Sequence, residues 1–539
     1  MTANVSDAVP DAAPGTGAEP VDRSRTVAVV GTGTMGQGIA QVALVAGHPV
    51  RLYDSAPGRA EAAVTALAAR LDRLVAKGRM DRSERDGAVA RLHAAAEPAE
   101  LADAALVVEA VVEDLAVKQR LFAELEKIVG DDTLLATNTS SLSVTAVAGA
   151  LRLPGRFVGL HFFNPAPLLP LVEVVSGFAT DPAAATRAYE TAKSWGKTPV
   201  RCADTPGFIV NRIARPFYAE ALRVHEEGAA DPATIDAALR ECGGFRMGPF
   251  ELTDLIGQDV NEAVTRSVWE SFYQDPRFTP SLAQRRLVES GRLGRKSGHG
   301  WFPYGEGAPA AEPHTAPPAR PPASVTVQGD LYQARELARV IQEAGVPVDF
   351  ADDAVPGYPG WIELPSGTRL FLADGTAADD AEMPVIHFDL ALDFRTCERI
   401  VLAPASTVAD GALAEAIGLF QAAGKKVSVI RDVPGMIVAR TVAMLADFAF
   451  DAATRAVAEP DDIDTAMRLG VNYPRGPLAW GEELGAGWVL ETLSNLHEEY
   501  PTGRYAPSQA LRRRVAAEHA AAAEQSAAEQ ASAGAEASS

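Results

Sequence analysis

Residues 26–30, TVAVV, form an unbroken apolar run of mainly β-branched side chains, the pattern of a strand buried on both faces of a parallel sheet. GTGTMG (31–36) follows at once. QGIAQVALVAG then places its apolar residues at helical spacing, and HPVRLYD reads as a second strand ending on Asp54. Further along, RFVGLHFF and LPLVEVVS read as two strands around the proline-rich turn NPAPLLP, and pairing them brings His161 and Glu173 together. Three stretches interrupt these patterns: an arm at 1–24, a linker at 305–324 and a tail at 506–539. Their Pro, Ala and Glu content buries too little apolar surface to offset the entropy of ordering. The arm is expected to be disordered, and the tail disordered or loosely helical.

Either side of the linker the chain repeats itself. DTPGFIVNRI (204–213) recurs as DVPGMIVART (432–441). At the same offset of 228, Pro232, Ile235, Asp236, Gly248, Pro249 and Gly257 fall on Pro460, Ile463, Asp464, Gly476, Pro477 and Gly485 without a gap. A weaker echo at an offset of 298 relates VAVVG…AGHPVRLYD to VTVQG…AGVPVDFAD. Each half therefore reads as an α/β unit followed by a helical unit. The domains are expected at 25–202 (dinucleotide-binding α/β), 203–304 (helical), 325–430 (degenerate α/β) and 431–505 (second helical). The second helical copy is expected to pack on the first as a pseudo-dimer within one chain. Association of whole chains is left open.

Bulk properties narrow the function. A chain of 539 residues is too long for one core. The net charge of −22 argues against a nucleic-acid surface, which needs clustered Lys and Arg. No apolar run approaches the roughly 18 residues that span a bilayer, and the opening stretch has no basic n-region or apolar h-region, so neither a membrane partner nor a signal peptide is expected. Cys202, Cys242 and Cys397 match no zinc or disulfide spacing. No metal is expected, and the compartment is read as a reducing cytoplasm.

The glycine-rich loop has the context that a dinucleotide fingerprint requires. It lies between strand and helix, with an acid 18 residues after the last glycine. Gly31 permits the turn, Gly33 lets the backbone approach a pyrophosphate, and Gly36 lets helix and strand pack closely. Thr34 and Met35 belong to the same cofactor-binding loop, whose helix N-terminus faces the phosphates. Asp54 would accept hydrogen bonds from ribose hydroxyls and repel a 2′-phosphate, which favours NAD over NADP. At the 298 offset Gly33 and Gly36 become Leu331 and Ala334, so no cofactor is expected in the second α/β unit. The expected fold is a Rossmann (doubly wound) α/β domain plus an all-α domain, each duplicated, with the second Rossmann-like unit degenerate.

His161 inside VGLHFFNPAP would ordinarily be read as a packed core residue. Glu173 changes that reading, since a carboxylate on one ring nitrogen fixes the tautomer and stabilises the imidazolium formed when the other takes a proton. At the 228 offset His161, Glu173 and Asn211 become Asp389, Val401 and Ala439, so the polar set is lost together in the second half.

LVVEAVVEDLAVKQRLFAELE, LLATNTSSLSV, RFVGLHFFNPAP, LVEVV and DTPGFIVNRI form an ordered series that resembles the L-3-hydroxyacyl-CoA dehydrogenase family over about residues 25–304. The resemblance implies that His161 is the catalytic base, oriented by Glu173. Ser140 and Asn211 would hold the hydroxyl and thioester oxygens of an acyl-CoA substrate, and Asn164 would hold the ring of the base in place at the substrate site. It also implies that Glu113 and Lys118 lie near the nicotinamide ribose, although their spacing equally suits an exposed helical pair, and it adds Asn138 to the cofactor set. Arg70, Arg73, Lys77 and Arg79 supply a basic patch, with Lys77 the candidate for the CoA nucleotide.

The long two-half layout resembles bacterial enzymes of phenylacetate breakdown that act on 3-hydroxyadipyl-CoA, with 3-hydroxybutyryl-CoA as the alternative substrate. Two other classes compete with these. A dehydrogenase of small hydroxy acids is disfavoured by the joint presence of HFFNP, TNTSS and PGFIVNR. A non-catalytic NAD-binding or structural protein on the same fold would be expected to lose His161 or Glu173.

Overall fold

The structure, a computed structural model, describes residues 19–351 and 359–536. The chain divides into two compact units after Phe208. Most of the expected N-terminal arm, residues 1–18, lies outside the described residues. The rest of that arm is ordered: Val21 is buried in the core of the first unit and donates its N–H to Thr191 Oγ1 at 2.9 Å.

The first unit is an eight-stranded sheet in the order β3-β2-β1-β4-β5-β6-β7-β8. Its strands are β1 (Thr26–Val30), β2 (Val50–Tyr53), β3 (Leu92–Ala94), β4 (Ala104–Glu109), β5 (Leu134–Thr137), β6 (Phe157–Phe162), β7 (Leu171–Ser176) and β8 (Thr198–Ala203). Its helices are α1 (Thr34–Val45), α2 (Arg59–Ala76), α3 (Arg82–Ala90), α4 (Leu115–Ile128), α5 (Val144–Ala148) and α6 (Pro182–Ser194). All pairings are parallel except β6 with β7. All five residues of β1 are buried, as its apolar run predicts. This is the doubly wound fold expected of the first α/β unit, with the glycine loop leading from β1 into α1.

The second unit opens with helices α7 (Val210–Ile213), α8 (Arg215–Glu226), α9 (Pro232–Glu241), α10 (Pro249–Ile256), α11 (Gln258–Ser271) and α12 (Leu282–Glu289). A seven-stranded sheet follows, built from β9 (Val325–Gln328), β10 (Val348–Ala351), β11 (Trp361–Glu363), β12 (Arg369–Leu372), β13 (Val385–Phe388), β14 (Arg399–Pro404) and β15 (Lys426–Val429). Helices α13 (Arg335–Glu343) and α14 (Asp410–Ala422) lie between its strands in sequence. The chain ends in α15 (Val438–Thr454), α16 (Pro460–Gly470), α17 (Pro477–Leu484), α18 (Ala486–Glu499) and α19 (Gln509–Glu536).

The two internal repeats are structural. Val27 pairs with Val50 in the first sheet, and Val325 pairs with Val348 in the second, so the 298 offset preserves strand register. At the 228 offset Gly159↔Val175 becomes His387↔Ala403 and Leu171↔Thr198 becomes Arg399↔Lys426. The repeated Asp…Gly-Pro pattern is a helix clasp. Asp236 accepts the N–H groups of Phe250 and Glu251, both at 2.9 Å, in the first turn of α10. A Cβ on Gly248 would stand 2.2 Å from the Asp236 carboxyl carbon, so only glycine admits the carboxylate there. Asp464 and Gly476 reproduce the arrangement at α17.

The two helical copies pack on each other within the second unit, α15 against α8. Buried ion pairs join them: Arg212 Nη2 lies 3.0 Å from Asp451 Oδ2, and Arg440 Nε lies 3.4 Å from Glu220 Oε2. Arg504 Nε and the Tyr505 hydroxyl also donate to Glu220, at 3.0 and 2.7 Å.

The low-complexity stretches behave differently from their composition. Linker residue Ala316 is buried and donates to Val427 O at 2.7 Å, while His314 O accepts from Ser428 Oγ at 2.7 Å. The linker thus covers β15, the edge strand of the second sheet, and its backbone hydrogen bonds hold it where apolar burial would not. Within the expected tail, α19 buries Leu511 in its first turn, just after the Ser508 N–H bonds Asp447 Oδ1 at 3.1 Å. Residues 537–539 of the tail lie outside the described residues.

Candidate active site

The loop after β1 has the shape of a phosphate cradle. Gly31 has φ +96°, a conformation that favours glycine. A Cβ on Gly36 would stand 1.8 Å from Gly31 O, so that glycine is required by helix–strand packing. No atom lies within 4 Å of where a Cβ on Gly33 would be, which leaves the backbone there open to a ligand. Thr34 and Met35 begin α1 at the same point. Asp54, at the end of β2, accepts from Thr32 N and Oγ1 at 3.0 and 2.6 Å and from Ala56 N at 3.1 Å. Burial opposes its charge, but these donors outweigh it and hold the carboxyl below its ordinary range. A glycine cradle with an ionised acid beside it fits a dinucleotide with free ribose hydroxyls.

His161 and Glu173 stand directly opposite each other in the antiparallel pair β6–β7. His161 Nδ1 lies 2.6 Å from Glu173 Oε2, and both residues are buried. With Nδ1–H donating to the carboxylate, Nε2 is left as the acceptor nitrogen of the ring. The ring also rests against Phe163 and Phe208, at centroid distances of 4.5 and 5.7 Å. Phe208 was not singled out from the sequence. Its φ of +50° is matched by +48° at Met436, its 228-offset equivalent, so the turn was kept in the second copy while the aromatic ring was not.

Lys118 is buried, which rules out the exposed helical pair. Its Nζ lies 2.6 Å from Glu109 Oε1 and 3.1 Å from Glu113 Oε2. Glu109, at the end of β4, also accepts from Thr137 Oγ1 and Val111 N, both at 2.7 Å. It was missed, although a lone acid closing the apolar run ALVVE was the available signal. Glu113 accepts from Ser140 N at 3.1 Å and Ser141 Oγ at 2.9 Å, and from Thr139 Oγ1. Burial alone would raise its carboxyl, but Lys118 and the Thr139 and Ser141 hydroxyls outweigh it and keep it ionised. This carboxylate shapes the Thr139–Ser141 turn that carries Ser140.

Asn138 spends its Oδ1 on the N–H of Phe162, at 2.9 Å, and so ties the end of β5 to the residue after His161. Asn164 lies in the β6–β7 turn and makes no hydrogen bond to the His161 ring. The contacts seen on the imidazole are Glu173 and the Phe163 and Phe208 rings. Lys77 is exposed at the C-terminal end of α2. Arg70 Nη2 donates to Gln37 Oε1 at 2.9 Å, and Gln37 Nε2 donates to Thr32 O at 2.8 Å, so part of the basic segment is tied to the glycine loop. Asn211 lies on α7, in the second unit.

The second copy has exchanged this chemistry for structure. Asp389, at the position of His161, accepts the N–H groups of Ile437, Val438 and Ala439 at 3.0, 2.8 and 2.9 Å and caps α15. The acid of the repeated Asp-x-Pro-Gly motif also caps in both halves. Asp204 accepts from Val144 N and Thr145 N at 3.0 and 2.7 Å, and Asp432 from Ala378 N and Asp379 N at 3.0 and 2.9 Å.

Comparison with known proteins agrees with this division. Residues 26–205 match the 3-hydroxyacyl-CoA dehydrogenase NAD binding domain, and residues 207–304 and 435–528 each match the C-terminal domain of the same family. Residues 370–434 match the 3-hydroxybutyryl-CoA dehydrogenase reduced Rossmann-fold domain. The 3-hydroxyadipyl-CoA dehydrogenase of Escherichia coli (strain K12) is 45% identical over 92% of this chain and 98% of its own. A 3-hydroxybutyryl-CoA dehydrogenase of Mycobacterium tuberculosis (strain ATCC 25618 / H37Rv) is 42% identical over 52% of this chain and 99% of its own. A crystal structure of 3-hydroxybutyryl-CoA dehydrogenase from Escherichia coli K12 superposes with a TM-score of 0.83 at 43% identity, covering 92% of this chain and 99% of that one. No helix among the described residues is long and apolar enough to cross a membrane. With the doubly wound sheet, the His–Glu pair and both copies of the helical domain accounted for, the chain belongs to the 3-hydroxyacyl-CoA dehydrogenase family, oxidoreductases that act on CH–OH groups with NAD.

Proposed function

We propose that the protein oxidises L-3-hydroxyadipyl-CoA to the 3-ketoacyl-CoA, reversibly, with His161 as general base. The observation that carries the chemistry is the buried 2.6 Å contact between His161 Nδ1 and Glu173 Oε2. His161 Nε2 takes the proton of the C3 hydroxyl, and Glu173 stabilises the imidazolium that results. Ser140 and Asn211 are the residues that the family resemblance assigns to the substrate's oxygens. NAD+, when bound, supplies the hydride acceptor. Gly31, Gly33, Thr34, Met35, Gly36 and Asp54 would hold it, with Glu113, Lys118 and Asn138 forming the wall toward the nicotinamide ribose. Lys77 is the exposed cation offered to the CoA nucleotide. Cys202, Cys242 and Cys397 are all buried, and a reducing cytoplasm is the compartment proposed with this activity.

The dicarboxylyl substrate is favoured because the relative matched along nearly the whole chain carries that name. A 3-hydroxybutyryl-CoA substrate is the second reading, favoured by the names of the half-length relative and of the solved structure. NADH consumption followed by its absorbance with 3-ketoadipyl-CoA and acetoacetyl-CoA separates them. Preference for the diacid supports the first reading, and preference for the C4 thioester supports the second. Tight NADH binding without turnover of either would instead support a non-catalytic protein.

A further inference from the structure

Six arginines are buried among the described residues, and five of them face a carboxylate: Arg156 pairs with Glu126, Arg212 with Asp451, Arg399 with Glu241, and Arg440 and Arg504 with Glu220. Arg215 is the exception. Only 5% of it is exposed, and its hydrogen bonds go to neutral oxygens, Nε to Asn211 O at 2.8 Å and Nη1 to Thr265 Oγ1 at 2.9 Å. Its guanidinium lies over the Tyr218 ring, 5.0 Å from the centroid. A guanidinium keeps its proton in a protein, so this is a full positive charge buried without its counter-ion, a costly arrangement.

A second observation points to what the charge awaits. Tyr473, from the second helical copy, packs its ring on Phe217, 5.6 Å between centroids and two residues from Arg215 on α8, within electrostatic reach of the same guanidinium. Its hydroxyl is buried and has no hydrogen-bond partner. An unmatched phenol O–H beside an unmatched guanidinium is a donor set for an anion. The repeat adds a third. At the 228 offset Arg215 and Tyr218 become Ala443 and Ala446, so the cation and its ring were lost from the second copy together, like the catalytic set.

Arg215 lies one helical turn beyond Asn211 and is bonded to its carbonyl, so the two share one side of α7–α8. In a six-carbon diacid the terminal carboxylate is three bonds from C3, a span that fits within one turn of about 5.4 Å. We propose that Arg215 and the Tyr473 hydroxyl form the receptor for the terminal carboxylate of a dicarboxylyl-CoA substrate, with Tyr473 supplied by the duplicated half. This rests on the proposed function, in which Asn211 contacts the substrate's oxygens. It gives the second helical copy a direct part in substrate selection.

The test compares kcat/KM for 3-hydroxyadipyl-CoA with that for 3-hydroxyhexanoyl-CoA, equal in length and lacking only the carboxylate, in the full-length enzyme and in R215Q and Y473F. The adipyl-to-hexanoyl ratio should fall about 100-fold in R215Q and about 10-fold in Y473F, as expected for losing charge-assisted hydrogen bonds in a buried site. If R215Q does not fold, Y473F, which removes a single oxygen, decides. A wild-type enzyme that prefers the diacid, with the ratio unchanged in Y473F, would overturn this receptor and leave the proposed substrate standing. A wild-type enzyme indifferent to the carboxylate would overturn both.

Discussion

Asp389 holds in the second sheet the position that His161 holds in the first: each follows the same strand register, His161 opposite Glu173 and Asp389 donating its N–H to Val401 O at 3.0 Å. One position thus carries a carboxylate-paired imidazole in one copy and a helix cap in the other. A cap needs an acceptor aimed at backbone N–H groups, whereas a base needs a titratable nitrogen and a partner that fixes its tautomer.

Buried carboxyls in both helical copies and at the Asp389 cap should leave a mark on pH dependence. Burial raises the Asp389 and Asp447 carboxyls to about 6 and Asp236 to about 7, from an ordinary 3.8. A folded state that binds a proton more tightly than the unfolded chain loses stability as pH rises between the two values, here from about 4 to about 7. Glu113 and Asp54, held low, act in the opposite sense and only at more acid pH. The melting temperature should therefore fall between pH 5 and pH 7.5, and D389N should flatten that fall. A D389N curve parallel to wild type would count against the assignment.

Gly33 and Gly36 should separate binding from folding. G33A puts a methyl group into open space in the free protein, so its melting temperature should match wild type while NADH affinity drops roughly 10-fold or more, the methyl meeting the pyrophosphate. G36A drives a methyl into Gly31 O and should destabilise the fold by about 2 kcal/mol or more. Equal effects of both on stability would show that the loop is not an open cradle.

Lys118 neutralises two carboxylates beneath the Ser140 turn. K118M would leave Glu109 buried without its cation, which should cost about 3–5 kcal/mol in denaturant unfolding. A loss below about 1 kcal/mol would mean that the pair is better solvated than the geometry implies.

What could be read from the sequence, and what could not, follows the range of the interactions. TVAVV, GTGTMG and the strand pair around NPAPLLP are local patterns with characteristic periods, and they placed β1, the cradle and His161 beside Glu173. The repeat was legible because the Asp–Gly clasp constrains two residues at fixed spacing. Composition misled for the linker, because Ala316 is held by a backbone bond to Val427 that no count of apolar residues registers. Glu109, Phe208 and the unpaired Arg215 depend on neighbours distant in sequence, and periodicity carries no information about those.

The most direct test of the account is the turnover of H161A, measured together with its NADH dissociation constant. General-base catalysis by a positioned imidazole predicts that kcat falls by about 10²–10⁴-fold while NADH binding stays at the wild-type value. A kcat within a few-fold of wild type in a folded H161A protein would contradict it.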